Sequence, residues 1–144
     1  MLSNLLVLGL INGFSTWETT ETLGLLSVDK YAIQTTDATQ TALATIPIPL
    51  NTICLITVRV LGVRTGGTSG NGGDSAAYIG EYRVSNKAGV LHLSEIGTSS
   101  SKDVNQWECV ADISDSNFII NVQGRDGTII DWVASIFQTQ KSYT

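Results

Sequence analysis

The residues most suggestive of chemistry lie in RTGGTSGNGGDSAAY, residues 64–78, where five glycines fall among the eleven positions 64–74. A glycine-rich loop can cradle a phosphate when its backbone N–H groups converge on the anion. That device needs G-x-x-x-x-G-K-[ST] leading into a helix N-terminus. No lysine follows these glycines, and the next residues, SAAYIGEYRV, read as a strand. Glycine-rich calcium repeats require the motif several times over, and here it occurs once. Asp74 alone falls short of the roughly six to eight oxygens a calcium ion takes. The stretch is therefore expected to be a flexible link between two strands, with glycine supplying positive φ. Arg64 and Asp74 are placed to pair across its base.

Other candidates are fewer. The one histidine, His92, sits within VLHLSEI and reads as a strand residue with a face to solvent. No G-x-S-x-G elbow is present, and the serines of GTSSSKD have no histidine near them in sequence. Glu108 and Asp112 share the polar face of a strand, where solvated charges are the ordinary expectation rather than a glycosidase pair. Cys54 and Cys109 show no CxxC and no Cys/His spacing for zinc. They can pair or stay free, and a free cysteine is usually a small buried hydrophobe. By alternation, Trp107 and Trp132 point into a core, which leaves little exposed aromatic surface for a sugar. No catalytic group, metal or cofactor is expected, and the chain reads as a non-enzyme.

The elements that would carry any site are strands. Charged residues make up 15% of the 144 positions, against 42% apolar. A soluble protein usually carries about 25% charged residues. The polar surface therefore comes from Thr, Ser, Asn and Gln, which together with abundant Val and Ile favours β structure. A length of 144 residues is enough for one domain with a full core. The net charge of −5, with eight scattered basic residues, argues against a nucleic-acid partner.

Residues 1–27 read as an N-terminal arm, and 28–144 as the sandwich domain. The arm's apolar run from Leu5 to Ile11 is far too short to span a bilayer, so no membrane role is expected. The run has no Lys or Arg ahead of it and no small-x-small cleavage site after it, which argues against a signal peptide. It either folds back on its own domain or lies on a neighbouring subunit. Its candidate anchors are Leu5, Leu6, Leu8, Leu10, Ile11, Phe14 and Trp17.

From residue 28 onward, period-two alternation recurs between turn sequences. WECVADIS puts Trp107, Cys109, Ala111 and Ile113 on one face. FIINVQG does the same with Phe118, Ile120 and Val122, and IIDWVASIFQ with Ile130, Trp132, Ala134 and Ile136. The short turns SDSN and GRDG between them predict a three-strand meander. Pro47 and Pro49 are acceptable only on an edge strand or beyond its end, which constrains the strand over residues 41–48. NTICLITVRVLGVR is apolar on both faces: Cys54, Ile56, Val58 and Val60 on one, Ile53, Leu55, Leu61 and Val63 on the other. A strand covered on one side only should not look like that, so the second face is expected to meet another subunit. With YIGEYRV and VLHLSEI, the count comes to about eight strands. The expectation is an all-β, antiparallel, jelly-roll-like sandwich with an extended N-terminal arm.

The order of these motifs resembles a β-sandwich domain of bacteriophage virion proteins, found in head decoration (cement) proteins and in parts of tail fibres. The motifs are the T-T-D-A-T opening at residues 35–39, the glycine-bearing loop after an R-T dipeptide at 64–73, and the late I-x-W-x-A strand at 130–134. The resemblance spans residues 31–137 and implies fold and virion origin, with no catalytic residues. In that family, a short chain with an apolar arm suits capsid decoration. The resemblance thus implies a homotrimer on the outer capsid surface, bound to the major capsid protein and to itself, with the arm lying on capsid or on a sister subunit and Ile53, Leu55, Leu61 and Val63 at the subunit contact. The alternatives are a receptor-binding module of a tail or head fibre, and a secreted glycan-binding module.

Overall fold

The computed structural model of the chain describes residues 25–144. Alternating apolar positions become eight strands: β1 (Leu25–Thr35), β2 (Thr41–Pro47), β3 (Thr52–Gly67), β4 (Ser75–Lys87), β5 (Val90–Lys102), β6 (Glu108–Ser114), β7 (Asn117–Gln123) and β8 (Thr128–Ser142). All pairings are antiparallel. They make a five-stranded sheet in the order β1-β8-β3-β4-β5 and a three-stranded sheet in the order β2-β7-β6. β1 begins at Leu25, ahead of the arm boundary placed at residue 27. The arm anchors Leu5, Leu6, Leu8, Leu10, Ile11, Phe14 and Trp17 lie outside the described residues.

The expected meander of the last three strands is corrected. Only β6 and β7 form a hairpin. After Gln123 the chain leaves that sheet, and β8 enters the other, between β1 and β3. The physical reason lies in β8's own residues. Ile130, Trp132, Ala134 and Ile136 are buried against the core, and a strand of fifteen residues needs long partners to pair along its length. β3, at sixteen residues, and β1, at eleven, provide them. Pro47 ends β2, an edge strand of the smaller sheet, as its missing N–H requires.

The core lies between the inner faces. Cys54, Ile56, Val58 and Val60 of β3 and the four apolar residues of β8 face Leu43, Ala44 and Ile46 of β2 and Phe118, Ile120 and Val122 of β7. Two aromatic contacts link the sheets. Trp132 of β8 meets Trp107 edge-on, with ring centres 5.8 Å apart. Tyr82 of β4 tilts against Phe118 of β7 at 5.4 Å. Trp132 also donates its indole N–H to the Thr35 hydroxyl of β1 at 2.9 Å, a buried bond.

Trp132 needs space on its own sheet. Gly62 of β3 is its register partner, and a Cβ built on Gly62 would stand 2.5 Å from the indole ring. The ring is held by Thr35 and Trp107 and cannot swing away. Gly62→Ala is therefore expected to cost about 1–3 kcal/mol, the usual range for overpacking a core. Gly72→Ala, where an added Cβ meets nothing within 4 Å, should stay within about 0.5 kcal/mol. Urea titration of the two variants checks the difference.

Candidate functional site

The glycine-rich stretch does connect β3 to β4, and it is tied together by its own groups. Arg64 Nε donates to the Ser69 carbonyl at 2.8 Å and Nη2 to the Gly67 carbonyl at 2.9 Å. The Asp74 carboxylate accepts the Asn71 N–H at 2.8 Å. Arg64 and Asp74 meet through the backbone, Arg64 N–H to Asp74 carbonyl at 2.9 Å, rather than through an ion pair. Glycine meets the backbone demand at Gly67, Gly70 and Gly73, all at positive φ. Both charged groups are spent on the loop itself. The loop is a brace between strands.

The other polar candidates are also dispersed. His92 is exposed on β5. Glu108 pairs with Lys102 Nζ at 3.1 Å, and Asp112 accepts the N–H of its neighbour Ile113 at 2.8 Å. Among the described residues, no three His, Cys, Asp or Glu side chains converge as a metal site would require. Cys54 and Cys109 are free thiols. Cys54 sits inside the core, where Gln138 Nε2 donates to its sulfur at 3.4 Å. Burial pushes its thiol up despite that bond. Burial, with the Glu108 carboxylate adding to it, pushes Cys109 from 9.0 to about 12. Neither is a nucleophile at neutral pH.

Two surfaces stand out instead. The first is the outer face of the five-stranded sheet. Register places Ala32, Val133, Leu61 and Ala77 in one row across β1, β8, β3 and β4. The next row carries Lys30, Ser135, Arg59 and Ile79. Leu61 is 45% exposed, Val133 48%, Ile79 48% and Leu55 47%. Of the four strand residues expected at a subunit contact, Leu55 and Leu61 are exposed on this face, while Ile53 and Val63 are half-buried on it. Arg59 leans over the Phe137 ring at 5.5 Å, so its charge borders the apolar row.

The second surface is a cleft of about 560 Å³ between the facing edges of the two sheets, lined by β4, β5 and β6. It is not legible in the sequence, because it depends on a break in strand pairing. β5 carries a bulge at Ile96, the residue left over where Glu95 pairs with Tyr82 and Gly97 with Glu81. Beyond it, the residues on the core side of β5 are Thr98 and Ser100, opposite Gly80 and Tyr78. An inner face that begins with Leu91 and Leu93 thus continues with Glu95, Thr98 and Ser100. The sheets cannot close over those groups, and the edge stays open. Lys102 finishes the strand by donating to the carbonyls of Asn105 and Trp107 at 3.1 and 2.8 Å, which pins the turn into β6.

No family model matches the chain, and no curated protein matches it. Solved structures of similar shape include three phage tailspike proteins. Against the Acinetobacter baumannii phage AM24 tailspike the identity is 11% and the TM-score 0.47, with 82% of this chain and 26% of that one covered. The Acinetobacter phage vB_ApiP_P1 tailspike gives 15% identity and a TM-score of 0.41, with 92% and 24% covered. The tailspike of Acinetobacter baumannii bacteriophage Fri1, a capsular polysaccharide depolymerase, gives 12% and 0.39, with 90% and 23% covered. The chain spans about a quarter of the length of these tailspikes.

Alkaline pH should expose the buried acids. Cys109 rises from 9.0 to about 12, mainly by burial, and Tyr78 from 10.0 to about 12, again mainly by burial. Below pH 9 both groups are protonated in the folded and unfolded chain alike. Above it the unfolded chain releases protons that the folded one retains, so stability falls. The Tm is expected to hold nearly level up to about pH 8.5 and to drop from pH 9 towards 12, more steeply past 10. Differential scanning calorimetry across that range checks it, with Cys109→Ala making the first part of the decline shallower and Cys54, whose thiol is also pushed up by burial, keeping the remainder.

Proposed function

We propose that the chain is an assembly module of a bacteriophage virion, placed in a tail or head-fibre type appendage and joined to copies of itself through the outer face of the five-stranded sheet. The observation that carries this reading is the apolar row Ala32–Val133–Leu61–Ala77, with Ile79 beside it, open to solvent on long paired strands. A contiguous exposed apolar patch with a polar margin is the mark of a protein contact. The margin carries both signs, Lys30, Arg59 and Arg83 against Glu81 and Asp131, all exposed. A second copy of the same face satisfies such a margin without a strongly charged partner. The phage assignment itself rests on the motif order at residues 35–39, 64–73 and 130–134.

Capsid decoration is the runner-up. It calls for a surface that grips the major capsid protein as well as a self-contact, and the residues assigned to that grip, from Leu5 to Trp17, lie outside the described residues. An appendage needs only self-association and a surface turned to the host. A homotrimer is the assembly we assign in either placement, with each copy turning this face toward a common three-fold axis, where it meets the same face of its two neighbours.

Light scattering on the full chain is expected to give a mass three times 15.4 kDa. Leu61→Asp with Val133→Asp should reduce it to the monomer with the fold's circular dichroism intact, because an unpaired charge is strongly unfavourable in a covered apolar contact and costs nothing on an exposed face. A monomeric parent chain would overturn the self-contact. Gold-labelled antibody bound to the head shell rather than the tail of intact virions would move the assignment to decoration.

A further inference from the structure

We infer that the cleft between β5 and β6 is a binding site for a neutral polyhydroxylated ligand, a short run of uncharged sugar rings. Its volume of about 560 Å³ falls in the range of small-ligand sites, roughly 300–1,000 Å³. The lining divides by chemistry. Leu93 and Ala111, both half-buried, offer apolar surface for the C–H face of a pyranose, and Glu95, Thr98 and Ser100 offer acceptors and donors for its hydroxyls.

Two polar groups lining the cleft are unspent. Tyr82 is 7% exposed, and its hydroxyl has no hydrogen-bond partner among the described residues. Its terminal oxygen rests on Gly80, where an added Cβ would come within 2.5 Å. The missing side chain at Gly80 is what lets the phenol lie along the cleft wall. Glu95 lies near enough to Tyr82 for its charge to help raise that phenol, after burial. It has neither an ion-pair nor a hydrogen-bond partner among the described residues. A carboxylate accepts two hydroxyls at once, and such charge-assisted bonds are the stronger kind.

The remaining neighbours define what is refused. Glu108 stands on the opposite wall with its charge met by Lys102, so the cleft's unmet charge is the negative one of Glu95. Acidic sugars and phosphates are repelled. A leucine-rich strand laid in the same place would press apolar side chains against Glu95, Thr98 and Ser100 and leave them unpaired. The lining selects a ligand that is itself half polar.

The test is titration of isotope-labelled full-length chain with neutral tetrasaccharides (cello-, malto- and N-acetylchito-series) and with tetragalacturonate, followed by backbone amide shifts. At least one neutral series should give saturable shifts at Gly80, Thr98, Ser100 and Cys109, with tetragalacturonate at least fivefold weaker. Tyr82→Phe, which removes one oxygen, and Glu95→Ala should each weaken binding at least fivefold, while Glu81→Ala on the outer face should leave it unchanged. Three results would overturn the site: no saturable shift up to about 10 mM sugar, shifts indifferent to both cleft variants, or cross-relaxation in the free chain between methyls of Leu5 to Leu10 and Thr98. The last would give the cleft to the chain's own first segment. Binding to the monomeric Leu61→Asp, Val133→Asp variant separates this inference from the oligomer, because the cleft lies on the inner side of β4 and needs no second copy.

Discussion

The fold depends on the placement of the Trp132 ring. It sits on Gly62 of β3, is met edge-on by Trp107 at the start of the smaller sheet, and is anchored to Thr35 of β1 through its N–H. One side chain thereby fixes three relations: the register of β8 on β3, the position of β1 beside β8, and the spacing between the sheets. Thr35 and Trp132 are 97 residues apart in sequence. Closing so long a loop has an entropic cost that is met only once the final strand is in place. The centre of the larger sheet is thus completed by the last segment of the chain, which places this protein among the slower, non-local folders.

This explains why the sequence showed the faces of strands better than their neighbours. Ile130, Trp132, Ala134 and Ile136 alternate with polar residues, and alternation alone states that they point inward. It does not state which sheet they belong to. Short turns at SDSN and GRDG look alike in sequence, yet one closes the β6–β7 hairpin and the other carries the chain across the sandwich. The difference lies in strand length: β6 and β7, at seven residues each, cannot pair a fifteen-residue β8 along its length, whereas the larger sheet offers longer partners. Strand ends were hidden for a related reason. The later part of β5, GTSSSK, has no apolar alternation, and its backbone is held in the sheet by pairing with residues 76–81 of β4.

The two surfaces differ in legibility for the same kind of reason. The outer face was readable because Ile53, Leu55, Leu61 and Val63 break the rule that a half-covered strand is polar outside, and a broken rule in one strand is visible in one strand. The cleft is built from three strands, and its defining residues are unremarkable singly. Glu95 follows Leu91 and Leu93 in phase, opposite Tyr82, and Thr98 and Ser100 join it only because the bulge at Ile96 turns them to the core side, opposite Gly80 and Tyr78. Sequence carries no mark of a bulge in so polar a segment. The glycine loop is the converse case. It is conspicuous in sequence, and its charges turn out to serve its own backbone.

β4 shows how the proposed contact and the proposed cleft can coexist. Its outward residues, Ala77, Ile79, Glu81 and Arg83, belong to the exposed apolar face and its margin, while its inward residues, Tyr78, Gly80 and Tyr82, form a wall of the cleft. The period of two that defines a strand keeps these sets on opposite sides of one backbone. A neighbour packed on the outer face would stiffen β4, and with it Tyr82, without touching the ligand's side. Assembly would then reduce the ordering that a bound sugar must impose on the wall, so oligomer and ligand would favour one another through rigidity rather than contact.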